Sequence, residues 1–413
     1  MRFVRRRVDA LAWDSLRTLG AREGWLVESP VALRAGFGGS CVTFNLPGGP
    51  HDETSVADAF AGLTLEGDDG PAGTGIVAFG TLPFDPAAPG RLEIPTYVVT
   101  QERGGATWVT SADGVDAWRG LLDAQTPPTQ DPQNLRSLTY QPTAEEYAHN
   151  VALAVEVMRH KEIDKVVLAR AVLGTVPEPL DCAAIAQRLR HREPVCTIYS
   201  LPTPDGRRFV GASPELIVRR EGPVVRSQPL AGTISLPPHA APDDYQNWLL
   251  GSAKNLHEHA VVVDDIVQLL SRDYDDIVAD PTPSIVALRT VAHLGSWVTG
   301  VHRDANRAPD ALAVLRLLHP TAAVGGMPRD AATELLARLE AHDRGHYAGP
   351  VGWVDAVGDG EWWLGLRGVL VDGTSFEAWA GAGIVSESDP IAEREETRDK
   401  LASVLTSVLV DRV

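Results

Sequence analysis

A chain of 413 residues with 55 acidic against 37 basic side chains carries a formal charge of −18. That charge repels phosphate backbones and argues against a nucleic-acid partner, whose binding rests on Lys and Arg displacing counterions. The 44% hydrophobic and 22% charged content is that of an ordinary globular protein, and no apolar run approaches the roughly eighteen residues that a bilayer span requires.

The basic opening MRFVRRR meets Asp9 and Asp14 before the apolar core of a signal sequence can form, so a cytoplasmic protein with no membrane association is expected. Cys41, Cys182 and Cys196 are widely spaced and suggest neither a disulfide framework nor a zinc site. The N-terminal part reads as short strands punctuated by Gly and Pro, as at 73–86 and 91–100. A polar, proline-rich segment at 124–133 reads as a surface connection. It divides the chain into a strand-rich part, 1–140, expected to pack into the same overall fold, and a main region, 141–413.

Thr143 and Glu146 form a capping-box pattern ahead of Val151, Ala154, Val155 and Met158, the apolar face of a helix. Lys165 then opens the apolar strand KVVLAR, 165–170. Either it marks the exposed start of that strand beside Asp164, or it is desolvated on the face of Val167 and Ala169, which suits a lysine to general-base work. Glu215, in FVGASPELIVRR, is placed to present a carboxyl at a sheet edge or to be a solvated turn residue. A long helix is expected over 243–271, with Leu249, Ala253, Leu256, Ala260, Val263, Val267 and Leu270 as its apolar stripe and Glu258 opposite.

Gly358-Asp-Gly and Asp372-Gly373 separate three strand-like runs that predict an antiparallel meander. Arg367 is expected on a strand face with Trp363, Gly365 and Val369, where its guanidinium needs a carboxylate opposite, from protein or from ligand. After Pro390 a final helix carries Glu393 and Glu396, which are either oxygen ligands for a hard cation such as Mg²⁺ or first-turn acids favoured by the helix dipole. The glycines at 325–326 and at 381 and 383 permit close approach of an anion to backbone N–H groups or form tight turns. Strands do not alternate regularly with helices and no phosphate-binding glycine loop follows a strand, so the expected class is α+β, rich in antiparallel sheet.

The segments KVVLAR, GASPEL, QPLAGT (228–233), KNLHEH (254–259), HLGS (293–296), HPTAAVGG (319–326), DRGHYAGPVGW (343–353), GLRG (365–368) and GAGIV with EREET (393–397) occur in this order within 143–408. Together they resemble the chorismate-utilising enzymes, the family of isochorismate, salicylate, anthranilate and aminodeoxychorismate synthases. The resemblance implies a large sandwich of antiparallel sheets that encloses the active site, with helices packed outside. It also implies that Glu258 and Glu396 bind Mg²⁺, with Glu393 close by, and that the metal grips the ring carboxylate of chorismate. Arg367, Tyr347 and the backbone near Gly383 would hold the enolpyruvyl carboxylate, with His293 beside the ring and Gly232, Thr233, Ala323 and Gly325 among the substrate contacts.

Lys165 stands where the ammonia-using members are similar in having glutamine, which implies water as nucleophile, Glu215 as the acid for the departing hydroxyl, and no glutaminase partner. Ala231 replaces the attacking lysine of aminodeoxychorismate synthases. Ala323 stands where the pyruvate-eliminating branch has threonine. The implied activity is conversion of chorismate to isochorismate. The alternatives are a salicylate synthase, which goes on to eliminate pyruvate, and a silent chorismate-binding protein. Asn255 departs from several relatives in lacking a carboxylate near the metal.

Overall fold

The computed structural model describes residues 1–49, 55–112, 114, 116–125, 127–128, 130–160, 162–237 and 241–410. Of the polar segment at 124–133, Thr126 and Thr129 lie outside the described residues.

The strand Lys165–Thr175 organises the main sheet. It pairs antiparallel with Ser375–Ile384 along its length, which sets Gly383 opposite Val167 and Gly381 opposite Ala169. Side chains alternate across a strand, so one sheet feeds two cores. Val172, Ala378 and Ala380 enter one, and Ala169, Ala171 and Trp379 enter the other. The helices Ala144–Arg159 and Pro390–Leu405 pack against each other beside this pair of strands. Among the described residues the pairings are antiparallel, apart from Arg2–Val8 with Thr64–Gly67 and the isolated Gln133–Leu409 bridge. The fold is therefore α+β and dominated by antiparallel sheet, as expected.

Val77–Thr81 pairs with Pro350–Asp355, and Trp25–Glu28 with Thr197–Pro202, so N-terminal strands are hydrogen-bonded to strands of the main region. Two of the N-terminal strands are long, Ala32–Leu46 and Gly90–Glu102, and they pair with each other around two irregularities in register. A helix, Trp13–Glu23, was not anticipated in this part: Ala12 supplies no capping side chain, and burial of Leu16 through Ala21 holds the helix instead.

The helix expected over 243–271 is two helices, Pro242–Leu250 and Ala253–Leu270. Gly251 ends the first, and the Ser252 hydroxyl caps the second by accepting from the Asn255 N–H. The buried face also differs from the expected stripe. Ala253, Leu256 and Ala260 are exposed, whereas Asn255, Glu258, His259, Val262, Asp265 and Ile266 are buried. The polar members of that inward face have partners: Glu258 meets Lys165, His259 meets Ser296 and Asp265 meets Arg329. Satisfied polar groups lose the penalty that normally turns them outward.

The run 361–371 also divides, into Gly360–Leu364 and Gly368–Asp372. The first pairs with Leu216–Glu221 and the second with Arg208–Ser213, so the chain must change partners between them. Arg367 lies in that crossing with φ +48°, not on a strand face.

A buried guanidinium locks this region. Arg344 donates from Nε and Nη2 to the two oxygens of Glu340 (2.8 and 2.6 Å), from Nη1 to the Val324 carbonyl (2.8 Å) and from Nη2 to the Val167 carbonyl (2.6 Å). Glu340 in turn accepts from the Ala169 N–H. Removal of the cation strands a half-buried carboxylate and two buried carbonyls, a loss of up to about 3–5 kcal/mol. Arg344→Met is therefore expected to lower the free energy of unfolding, read from urea titration, by that amount, and an unchanged value would mean that the clamp is ornamental.

Candidate active site

One cavity collects side chains from strands and loops far apart in sequence, among them Glu215, Thr233, Glu258, His293, Ala323, Tyr347, Arg367, Gly383 and Lys400. Glu215 sits in the turn between Arg208–Ser213 and Leu216–Glu221, where the Ser213 hydroxyl accepts its N–H. It is buried, not a solvated turn residue. Burial outweighs a backbone hydrogen bond at Leu230 and the charges of Lys165 and Lys400, and pushes its carboxyl up to about 8. At neutral pH Glu215 holds its proton.

Lys165 is fully buried, so the exposed-start alternative does not hold. Its Nζ lies 3.2 Å from Glu258 Oε1 and makes no well-directed hydrogen bond. The amine is not part of the cavity wall itself; it stands directly behind Glu258. Burial raises the Glu258 carboxyl, but Lys165 and Lys254 more than offset this and hold it below the ordinary carboxylate range. Gly383 makes the pairing sterically feasible: a Cβ there would fall 2.2 Å from Glu258 Oε1 and 3.1 Å from Lys165 Cε.

Two further glutamates repeat the pattern. Glu393 accepts from Lys254 Nζ at 2.5 Å and from the Ser388 hydroxyl at 2.7 Å, and Glu396 accepts from Lys400 Nζ at 2.6 Å. Burial and the charge of Glu396 push the Glu393 carboxyl up. Among the described residues no three acidic, histidine or cysteine side chains form a ready-made metal cage. The donor set present is one of separate carboxylates, each balanced by a lysine. Such a set fits Mg²⁺, which uses one or two protein carboxylates and completes its shell with water and substrate oxygens.

Elsewhere on the cavity wall Arg367 donates from Nη2 to His293 Nε2 at 2.9 Å, and His293 Nδ1 lies 2.9 Å from the Thr233 hydroxyl. Arg367 Nη1 is buried with no hydrogen-bond partner; among the described residues the buried Glu193 acts on this arginine through its charge, but no carboxylate reaches ion-pair distance. It is an open donor for an anionic ligand. Tyr347 stacks on Trp379 with ring centroids 5.6 Å apart.

Of the residues singled out from sequence, Lys165, Gly232, Gly325, Glu393 and Glu396 do not form the wall. Gly232 supports it: with φ +73°, it lets the Asn255 carbonyl pass 2.7 Å from where a Cβ would stand. Gly325 accepts from the Val167 N–H. Lys400 went unrecognised in the sequence although it lines the cavity and donates to the Gly381 carbonyl at 2.9 Å. Its spacing four residues after Glu396 is the signal that could have found it.

The chain matches the family model described as "Chorismate binding enzyme" over residues 53–409, and it belongs to that family. It is 38% identical over 354 residues to a MenF chain of Mycobacterium tuberculosis, covering 83% of this chain and 88% of that one. It is 31% identical over 376 residues to the isochorismate synthase EntC of Escherichia coli K12, covering 90% and 89%. Its structure is similar to that of MenF, the menaquinone-specific isochorismate synthase from Escherichia coli, with a TM-score of 0.79 at 26% identity over 98% and 94% of the two chains. Anthranilate synthase component I from Streptococcus pneumoniae shares the fold, with a TM-score of 0.70 at 21% identity and 82% coverage of each chain.

The Glu215 shift has a thermodynamic consequence. A carboxyl whose folded value lies above its unfolded one contributes stability below the unfolded value, and that stability is lost as pH rises through the folded value. Between pH 5 and 8.5 the melting temperature of the wild type is therefore expected to fall relative to that of Glu215→Gln. Parallel melting curves across this range would show that the carboxyl is ionised throughout.

Proposed function

We infer that this chain is an isomerase that converts chorismate to isochorismate. The observation that carries the reading is the opposed state of two buried acids on one cavity: Glu215 keeps its proton, while Glu258 beside Lys165 is held ionised. A buried acid that keeps its proton suits a general acid, and one held ionised suits a cation ligand.

In the proposed reaction Lys165, as the neutral amine, takes a proton from water while the water oxygen bonds to C2 of the ring. Both ring double bonds shift, C1=C2 to C1=C6 and C5=C6 to C4=C5, the bond from C4 to its hydroxyl breaks, and Glu215 gives its proton to the departing oxygen, which leaves as water. Water is consumed and released in equal number, so the reverse reaction exchanges the two roles. Arg367, with its unpartnered Nη1, holds the enolpyruvyl carboxylate together with Tyr347. Glu258 and Glu396 are the residues that would hold Mg²⁺, with Glu393 nearby. Bound there, Mg²⁺ supplies charge neutralisation and a grip on the ring carboxylate. Ala323 on the cavity wall favours isomerisation without pyruvate elimination. Among the described residues no helix is long and apolar enough to cross a membrane, and the cytoplasm is the compartment proposed.

Incubation with chorismate and Mg²⁺, followed by chromatography, is expected to yield isochorismate without pyruvate. Pyruvate in proportion to turnover would instead mark a salicylate synthase, and absence of turnover a binding protein. Lys165→Ala and Glu215→Gln are each expected to lower kcat by about 10²–10⁴, the scale of a lost general acid or base. Because Glu215 must be protonated to act, wild-type turnover is expected to decline as pH rises through about 8. Activity in either variant close to the wild type would refute its role.

A further inference from the structure

We propose that His293 is a positioning residue, a neutral imidazole clamped by Thr233 that fixes the guanidinium of Arg367 so that Nη1 faces the substrate. The inference rests on the reading of Arg367 as the carboxylate holder and adds what holds Arg367 itself.

The geometry determines the direction of every bond in the chain. A guanidinium only donates, so His293 Nε2, 2.9 Å from Arg367 Nη2, must be an acceptor without a proton. The ring proton then sits on Nδ1, which donates to the Thr233 hydroxyl at 2.9 Å. A second proton on the ring would place N–H against N–H at the arginine. Burial and the adjacent charges of Arg367 and Lys400 also keep the imidazole from charging. The register supports the clamp, because Thr233 and His293 are cross-strand partners in the small sheet formed by Leu230–Ser235, Val291–Gly295 and Ser284–Ala287.

Arg367 requires such a support. It lies in the chain crossing between two strands, in the left-handed region at φ +48°, where the Ala212 N–H holds its carbonyl at 3.1 Å but leaves the long side chain unoriented. Among the described residues no carboxylate reaches ion-pair distance of it, although the buried Glu193 acts on it through its charge. The His293 bond is the contact that ties its side chain to a rigid strand, while Nη1 stays open. His293 therefore acts on the substrate through Arg367 and takes no part in proton transfer.

Two measurements test this together. Nitrogen-15 NMR of His293 in the ligand-free protein is expected to show the neutral Nδ1–H form from pH 5.5 to 8.5. A ring that titrates near the ordinary histidine value, or an Nε2–H form, would overturn the proposal whatever the enzyme catalyses. In kinetics with chorismate and Mg²⁺, Thr233→Val is expected to raise KM roughly five- to tenfold, the scale of one lost hydrogen bond, with kcat within about twofold, and Thr233→Ser is expected to restore KM. In an Arg367→Lys background the Thr233→Val effect is expected to vanish. A fall in kcat at constant KM, or an undiminished effect in that background, would contradict the proposal. If the wild type fails to turn over chorismate, the functional reading falls, while the NMR result still decides the His293 clamp.

Discussion

Three glutamates beside the cavity enter the interior paired with lysines, and the cavity depends on that matching. Lys165 Nζ and the carboxylate of Glu258 meet at 3.2 Å, at a depth where an uncompensated charge would carry a penalty of several kcal/mol. Lys254 with Glu393 and Lys400 with Glu396 repeat the arrangement. Glu215 has no ion-pair partner, so the same burial drives it to the opposite outcome, an uncharged acid. One physical cause thus produces an ionised carboxylate and a protonated one on a single cavity.

The fold supplies the close approaches that make these pairs possible. Antiparallel pairing of Lys165–Thr175 with Ser375–Ile384 brings Gly383 beside the lysine strand, and its missing Cβ is the space that Glu258 fills. The Arg344 clamp ties Val167 on that strand to Val324 on the loop that carries Ala323. The change of strand partners between Gly360–Leu364 and Gly368–Asp372 delivers Arg367 to the wall.

Periodicity and composition made the α+β class and the helices Ala144–Arg159 and Pro390–Leu405 legible, because capping boxes and proline starts are local signals. The motifs, read through their family resemblance, singled out Lys165, Glu215, Glu258 and Arg367. Local rules alone left Lys165 between an exposed and a buried setting, and only the long-range pairing with Glu258 decides between them. The same rule turned the Glu258 helix the wrong way, since its polar face becomes the buried one when partners from three other elements satisfy it. Arg367 shows the limit of strand alternation: nothing within 361–371 announces that its two halves pair with different strands. Lys400 was overlooked because a lysine four residues from a glutamate is ordinary on a solvated helix, and its cavity-facing position is set by tertiary packing.

The state of the Glu215 carboxyl is the most direct test of the account. Infrared difference spectroscopy of the wild type against Glu215→Gln at pH 7 should contain the carbonyl stretch of a protonated carboxylic acid, which disappears in the variant and fades in the wild type as pH is raised past about 8. A difference spectrum with only carboxylate bands at pH 7 would mean that Glu215 is charged when the substrate arrives, and the division of labour between the two buried acids would fail.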